Sequence, residues 1–373
     1  MPALDGLRAI AILMVLLTHT AGGWGMVASI LRKTDGETTL ALPAWLNQIA
    51  EAATHGVTLF FVVSPFTLTV RAAGDRGSLA SYALRRIARV GPGYWLACLA
   101  YPLAIGLGPR WYAPDGVSTA DLLVAFVFGS AWQGGSALAV VPGGWSVSCE
   151  VAFYVALPLL LRLIDGRIWR ALVLTCVALL IAQVRARSAM SVSLYNYAFY
   201  NNPIEQLPVF LFGITAALVA MRIRVPKVPG GVLIILVAAI GALPFSPVAR
   251  WYVMPHLVFA GFASFAVLIS AAHPPAFLSN RTMTGIGQVS YSMYLLQFAL
   301  LAPCLYFAGF IAPKDDWITL AVYYALLAVV VFSVACVTYR LIELPAIRWA
   351  NRTSAKPQLA RAARPEADAN RAH

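Results

Sequence analysis

Charge is what this chain has least of. Asp, Glu, Lys and Arg make up 11% of its 373 residues, 60% are hydrophobic, and mean hydropathy is +0.76. So few charged groups cannot cover the core of a soluble domain, so composition excludes an ordinary soluble enzyme and points to a multi-span membrane protein. Acids are scarcer still, 15 against 27 basic residues. The basic excess sits in short loops and the C-terminal tail, the positive-inside pattern of a membrane protein, and this argues against nucleic acid as a partner. Cysteine is sparse: Cys98, Cys149, Cys176, Cys304 and Cys336 lie in or beside apolar runs without paired or metal-ligand spacing. That excludes a disulfide framework and a metal site, and leaves buried thiols acting as small hydrophobes. Also missing is a cleavage signature after the first apolar run. Asp5 precedes Arg8 there, many more runs follow, and a retained first helix is expected.

What is present is a series of spanning-length apolar runs with no soluble domain between them. They fall at about 9–30, 54–71, 90–107, 150–164, 168–184, 205–221, 231–248, 253–271, 288–312 and 317–341. A further stretch, 121–138, is short, Gly-rich and followed by Val141-Pro142-Gly143-Gly144. Loop charge assigns it. The basic loops at 71–89, 162–170 and 222–227 and the tail from Arg348 all fall on the cytoplasmic side only if 121–138 does not cross. The expected fold is an all-α polytopic membrane protein of about ten transmembrane helices, plus one re-entrant or interfacial segment. Both termini are cytoplasmic in this reading. Residues 1–348 form the integral membrane domain, and 349–373 a disordered basic tail. Irregular backbone at membrane depth must be buried in protein or line a cavity, so 134–149 is expected to line one.

Ionisable groups inside such runs are candidates for function. Arg8 and His19 are eleven positions apart, which on a helix returns to nearly the same face about 16 Å further along. Each singly reads as an anchor or a packed imidazole; together on one face they suggest chemistry. Glu150 enters an apolar helix and needs a partner or a proton, and it is a candidate to orient an imidazole. Arg85, Arg86 and Arg89 lie just before a run, with helical spacing that suits a phosphate-bearing ligand as well as a lipid headgroup or a topology signal. His55, His256 and His273 sit near span ends and read as interface residues. Pro65 reads as a kink.

In their order, these pieces resemble the membrane acyltransferase-3 family. The matching stretches are Leu4-Asp5-Gly6-Leu7-Arg8-Ala9-Ile10-Ala11 with His19, Phe60-Phe61-Val62-Val63-Ser64, and Arg85-Arg86-Ile87-Ala88-Arg89 with Pro92 and Tyr94. Trp145-Ser146 with Glu150, Phe153, Tyr154 and Pro158 follows, then Ser290-Tyr291-Ser292 with Tyr294-Leu295, then Glu343 and Pro345. The likeness runs from residue 4 to about 348. It implies an O-acyltransferase, typically an O-acetyltransferase, of the bacterial inner membrane. The donor is acetyl-CoA or another acyl-CoA, and the acceptor is a hydroxyl of a carbohydrate or glycolipid such as a cell-envelope polysaccharide or lipopolysaccharide. It places Arg8, His19 and Glu150 in the catalytic group and Arg85, Arg86 and Arg89 on the coenzyme. Ser64, Trp145, Ser146, Tyr291 and Gln297 are candidate substrate contacts. No metal is implied. The chain departs from the pattern at Pro65, where Gly is usual, at Val151, where a second acid is usual, and at Gln297, where His is usual. A proton-coupled transporter or flippase of a glycan or acyl substrate is the competing class. It predicts paired repeats and paired broken helices, and neither is visible in the sequence.

Overall fold

A computed structural model describes residues 1–23, 27, 42–74, 77–110, 113–134, 137–188, 200–226, 255–311 and 317–354. Those residues form an all-helical bundle with eight helices long and apolar enough to cross a membrane. We label the elements α1 (Pro2–Ala21), α2 (Ala44–Ala52), α3 (Gly56–Gly74), α4 (Leu79–Ile105), α5 (Thr119–Phe126), α6 (Gly144–Ile164), α7 (Ile168–Ser188), α8 (Pro203–Arg222), α9 (Pro255–Ala272), α10 (Arg281–Ile311) and α11 (Trp317–Thr338). The last helix continues through a π-helical turn, Tyr339–Glu343, to Ser354.

Several expected boundaries move, each for a local reason. The first helix starts at Pro2 rather than Ala9, with Pro in its first turn and Asp5 beside the positive helix terminus. Arg8 is therefore inside the helix. Helix α4 starts at Leu79, capped by the Ser78 side chain accepting from the Ser81 amide, so Arg85, Arg86 and Arg89 lie on its first half rather than before it. The expected run at 231–248 lies outside the described residues. Of the expected tail, residues 349–354 are helical, and the rest also lies outside the described residues.

The 121–138 stretch forms only the eight-residue α5, closed by a capping box between Ser118 and Asp121, and then a single turn at Ser130–Trp132. That is too short to cross a bilayer. Residues 139–149 are buried almost throughout, and α6 begins at Gly144, six residues before the expected start. Gly143 holds φ +78°, and an added Cβ there would come within 2.7 Å of the Tyr294 hydroxyl. Glycine is thus needed where α6 enters the bundle.

Close helix approaches set the site. A Cβ on Gly287 would meet the Asp5 carbonyl, so α1 and α10 touch backbone to backbone, and one on Gly6 would meet the carbonyl of Leu278, in the short helix Ala276–Ser279 that precedes α10. Pro65 sits inside an unbroken α3. Its ring fills the space over Gly213 of α8, where a Cβ would stand 2.5 Å from Pro65 Cγ.

Candidate active site

A cavity of about 490 Å³ opens between α1, α3, α4, α6, α10 and the end of the last helix. It follows α3 from Val57 to Arg71, about 21 Å of helix at 1.5 Å per residue. One end carries Arg8, Arg71, Arg85, Arg86 and Arg89, with the carboxylates Asp5 and Glu150 also on the lining. The other reaches Ser146 and Tyr294.

At the arginine end most charges are tied. Arg8 donates to Asp5 Oδ1 at 2.7 Å and to Thr67 Oγ1 at 3.3 Å. Arg89 donates to Glu343 Oε2 at 2.9 Å, and Ser292 donates to the other oxygen of that carboxylate. Glu343 is 2% exposed, and the π-helical turn places it. The Arg89 guanidinium also lies 5.9 Å from the Tyr291 ring centre, while the Tyr291 hydroxyl donates to the Val90 carbonyl at 2.7 Å. Arg86 differs. Its guanidinium stands 5.7 Å from the Tyr154 ring centre, and its buried Nε has no hydrogen-bond partner among the described residues.

Glu150 accepts from Ser64 Oγ at 2.8 Å and from the Tyr154 hydroxyl at 2.5 Å. This corrects the expectation that it orients the imidazole. A helix places position i+4 beside position i, so Tyr154 is the natural partner of Glu150, and the pair belongs to the cavity wall.

His19 is bound from α10 instead. Its Nδ1 lies 2.9 Å from Gln297 Oε1, and the Phe298 ring sits 4.4 Å away, centre to centre. Gln297 is 1% exposed, and its Nε2 donates to the Tyr294 carbonyl at 3.1 Å. The donation turns Oε1 toward His19, so Nδ1 carries the proton and Nε2 keeps a free lone pair. The glutamine that departs from the family pattern is thus the histidine's partner. One helical turn before it, the Tyr294 hydroxyl, Ser146 Oγ and the Gly143 carbonyl form a closed triangle: 2.8 Å between the hydroxyls and 3.0 Å from each to the carbonyl. Tyr294 thereby connects this end of the cavity to Gln297 and His19.

Of the sequence candidates, Arg8, Ser64, Arg85, Arg86, Arg89, Ser146, Glu150 and Tyr291 line the cavity. His19, Gln297 and Trp145 stand off its wall; Trp145 packs between Phe61 and Tyr200, with ring centres 6.0 and 5.3 Å away. The sequence reading missed Arg71 and Thr67 as site residues, and named Tyr294 and Glu343 without a role. Glu343 is a carboxylate in an apolar helix, the same signal that picked out Glu150. Among the described residues no group of three or more His, Cys, Asp or Glu could hold a metal ion.

Comparison with known proteins gives the family. A family described as an acyltransferase domain, the third of that name, matches residues 1–340. The chain is 27% identical over 339 residues to the acyltransferase MdmB of Streptomyces mycarofaciens, covering 81% of this chain and 79% of that protein. It is 22% identical over 409 residues to the putative O-acetyltransferase SAR0937 of Staphylococcus aureus strain MRSA252, and 23% over 411 residues to SAS0844 of strain MSSA476. These two alignments cover 97% of this chain but only 60% and 61% of the staphylococcal proteins. No solved structure matches.

Proposed function

This chain belongs to the acyltransferase-3 family of membrane acyltransferases, and from that premise we propose that it is an O-acyltransferase carrying an acyl group, acetyl in the first instance, from a coenzyme A thioester to a hydroxyl of a carbohydrate or glycolipid. The observation that carries the reading is the cavity's polarity along its length. One end holds five arginines, and at the other Tyr294 sits one helical turn from Gln297, the residue bonded to His19 Nδ1.

The residues fit such a donor. Arg86 has a buried Nε without a partner, and Arg71 and Arg85 line the same mouth. Guanidinium groups bind phosphate oxygens strongly and in a fixed fork. Arg8 and Arg89 are held by Asp5 and Glu343 and shape the entrance. The arginine end faces the cytoplasm in this reading, with both termini on that side of a bacterial inner membrane, as the basic loops require. A flexible arm lying along α3 would bring the thioester to Ser146 and Tyr294, and thence to His19.

His19 Nε2 takes the proton of the acceptor hydroxyl as the oxygen attacks the thioester carbonyl. The carbon–sulfur bond breaks, the thiolate leaves, and the proton passes from His19 to the departing sulfur. The Tyr294 and Ser146 hydroxyls, both already donating within their triangle with the Gly143 carbonyl, fix the wall at the end of the cavity away from the arginines. The test uses purified protein in nanodiscs with acetyl-CoA, followed by free thiol release. Wild type releases thiol and His19→Ala does not, at unchanged thermal stability; a fully active His19→Ala would sink the scheme.

A further inference from the structure

The bundle carries a second polar group at the end away from the arginines, and the chemistry above does not use it. His256, on the first turn of α9, is 3% exposed, and its Nε2 has no hydrogen-bond partner among the described residues. His55, half-buried at the start of α3, likewise has an unpartnered, buried Nδ1. The two are neighbours. His55 stacks on Phe259 at 4.9 Å between ring centres, and Phe259 is the i+3 residue of His256, on the same helix face. Tyr200 stands edge-on to His256 at 5.0 Å and packs on Trp145 at 5.3 Å. His256 is thus buried in the bundle rather than at the interface expected for it, while His55 stays half-buried near its span end.

Burying an imidazole nitrogen without a partner is costly. A protein that keeps two such nitrogens side by side, among aromatic rings, has a site for a hydrogen-bonding ligand. Its depth matters. Thr18, the neighbour of His19, donates to the Ala50 carbonyl at 2.6 Å, and the turn at Ala53–His55 packs against α1. His55 thus lies in the same layer as His19. Glu51 and Thr54 are exposed just beyond it, at the end opposite the arginines.

We propose that His55, His256 and Tyr200 form the acceptor subsite, a hydroxyl-binding cluster in the layer of His19 that takes a sugar or a comparable polyol. The inference rests on the acyltransferase reading and names where its acceptor binds. Hydroxyls of a sugar would satisfy the two orphaned nitrogens, beside the Tyr200 ring that stands edge-on to His256. The donor enters from one end and the acceptor from the other, and His19 lies between them.

The test measures two Michaelis constants in nanodiscs, for acetyl-CoA and for methyl β-D-glucopyranoside as acceptor probe. His55→Phe and His256→Phe keep the ring volume and remove the hydrogen-bonding group. Each raises the glucoside KM by about tenfold or more, the loss of one ligand hydrogen bond to a buried site, while the acetyl-CoA KM stays put. His256→Gln partly restores the glucoside KM. The thermal midpoint of the Phe variants holds or rises, because an unpartnered polar group has been removed from the interior. A glucoside KM unchanged in both Phe variants overturns the proposal. So does a fall in thermal midpoint with both constants moving together, which would make the imidazoles structural. Wild type that releases thiol from acetyl-CoA but does not acetylate the glucoside overturns this subsite and leaves the acyltransferase reading standing. No thiol release with or without glucoside overturns that reading, and this inference with it.

Discussion

The two ends of the bundle treat their polar groups in opposite ways. At the arginine end the protein supplies the partners itself: Asp5 for Arg8, Glu343 for Arg89, Ser64 and Tyr154 for Glu150. At the far end the half-buried His55 and the buried His256 carry ring nitrogens unpaired among the described residues, and His19, between the ends, is hydrogen-bonded to Gln297. A buried charge is costly to leave open, so Arg8, Arg89 and Glu150 are satisfied within the fold and Arg86 Nε is the exception. A neutral imidazole costs less to leave unpaired, so it can wait for a ligand. The arginine end is therefore built to hold a shape in which a few cations face a highly charged donor. The far end is built to be completed by an uncharged one.

The largest effect is expected where the two ends meet. His19→Ala should lower turnover by roughly 10²–10⁴, the usual worth of a positioned general base. Acetyl-CoA binding, read by calorimetry in nanodiscs, should persist, because His19 lies off the cavity wall. Loss of donor binding together with activity would erase the division between the ends.

Within the arginine end, Arg89 and Arg86 should separate stability from binding. Arg89→Met strands Glu343, which is 2% exposed, and stranding a buried charge costs about 3 kcal/mol. A chemical denaturation series on the purified protein would show it. Arg86→Met strands nothing, since Arg86 makes no ion pair among those found in the described residues. It should leave stability nearly unchanged and raise the acetyl-CoA KM by roughly tenfold, the worth of a charge-assisted hydrogen bond. Equal destabilisation by the two changes would mean that both arginines are structural.

The difference between the ends also explains what the sequence made legible. Spanning helices announce themselves by composition, and eight appear among the described residues. The start of α6 was misplaced because Gly143-Gly144 read as loop; the need for glycine there comes from Tyr294, about 150 residues away in the chain and invisible locally. The arginine-end residues were found because charge in an apolar helix is conspicuous. Their pairing was not, because Glu343 reaches Arg89 across 254 positions. The far end was read past for the converse reason: a neutral histidine near a helix end is unremarkable until its burial is known. Pro65 is similar. It departs from the pattern on its own helix, and the glycine that makes room for it, Gly213, lies on another.

The smallest effect sharpens the comparison most, because it concerns a residue that looked like a defect. Gln297 stands where the family pattern has histidine, yet it accepts from His19 Nδ1 and is held by the Tyr294 carbonyl. Gln297→Ala removes one neutral hydrogen bond and leaves Nδ1 to choose its own tautomer. That should lower kcat roughly fivefold to tenfold with both Michaelis constants little moved, since the residue touches neither the donor cavity nor the acceptor cluster. Gln297→Asn keeps the amide but shortens its reach, and should fall nearer to Ala than to wild type if the 2.9 Å contact is what matters. A Gln297→Ala enzyme whose acceptor KM rises while kcat holds would place the glutamine on the sugar instead, and would move the boundary between the ends one helical turn inward, to Tyr294.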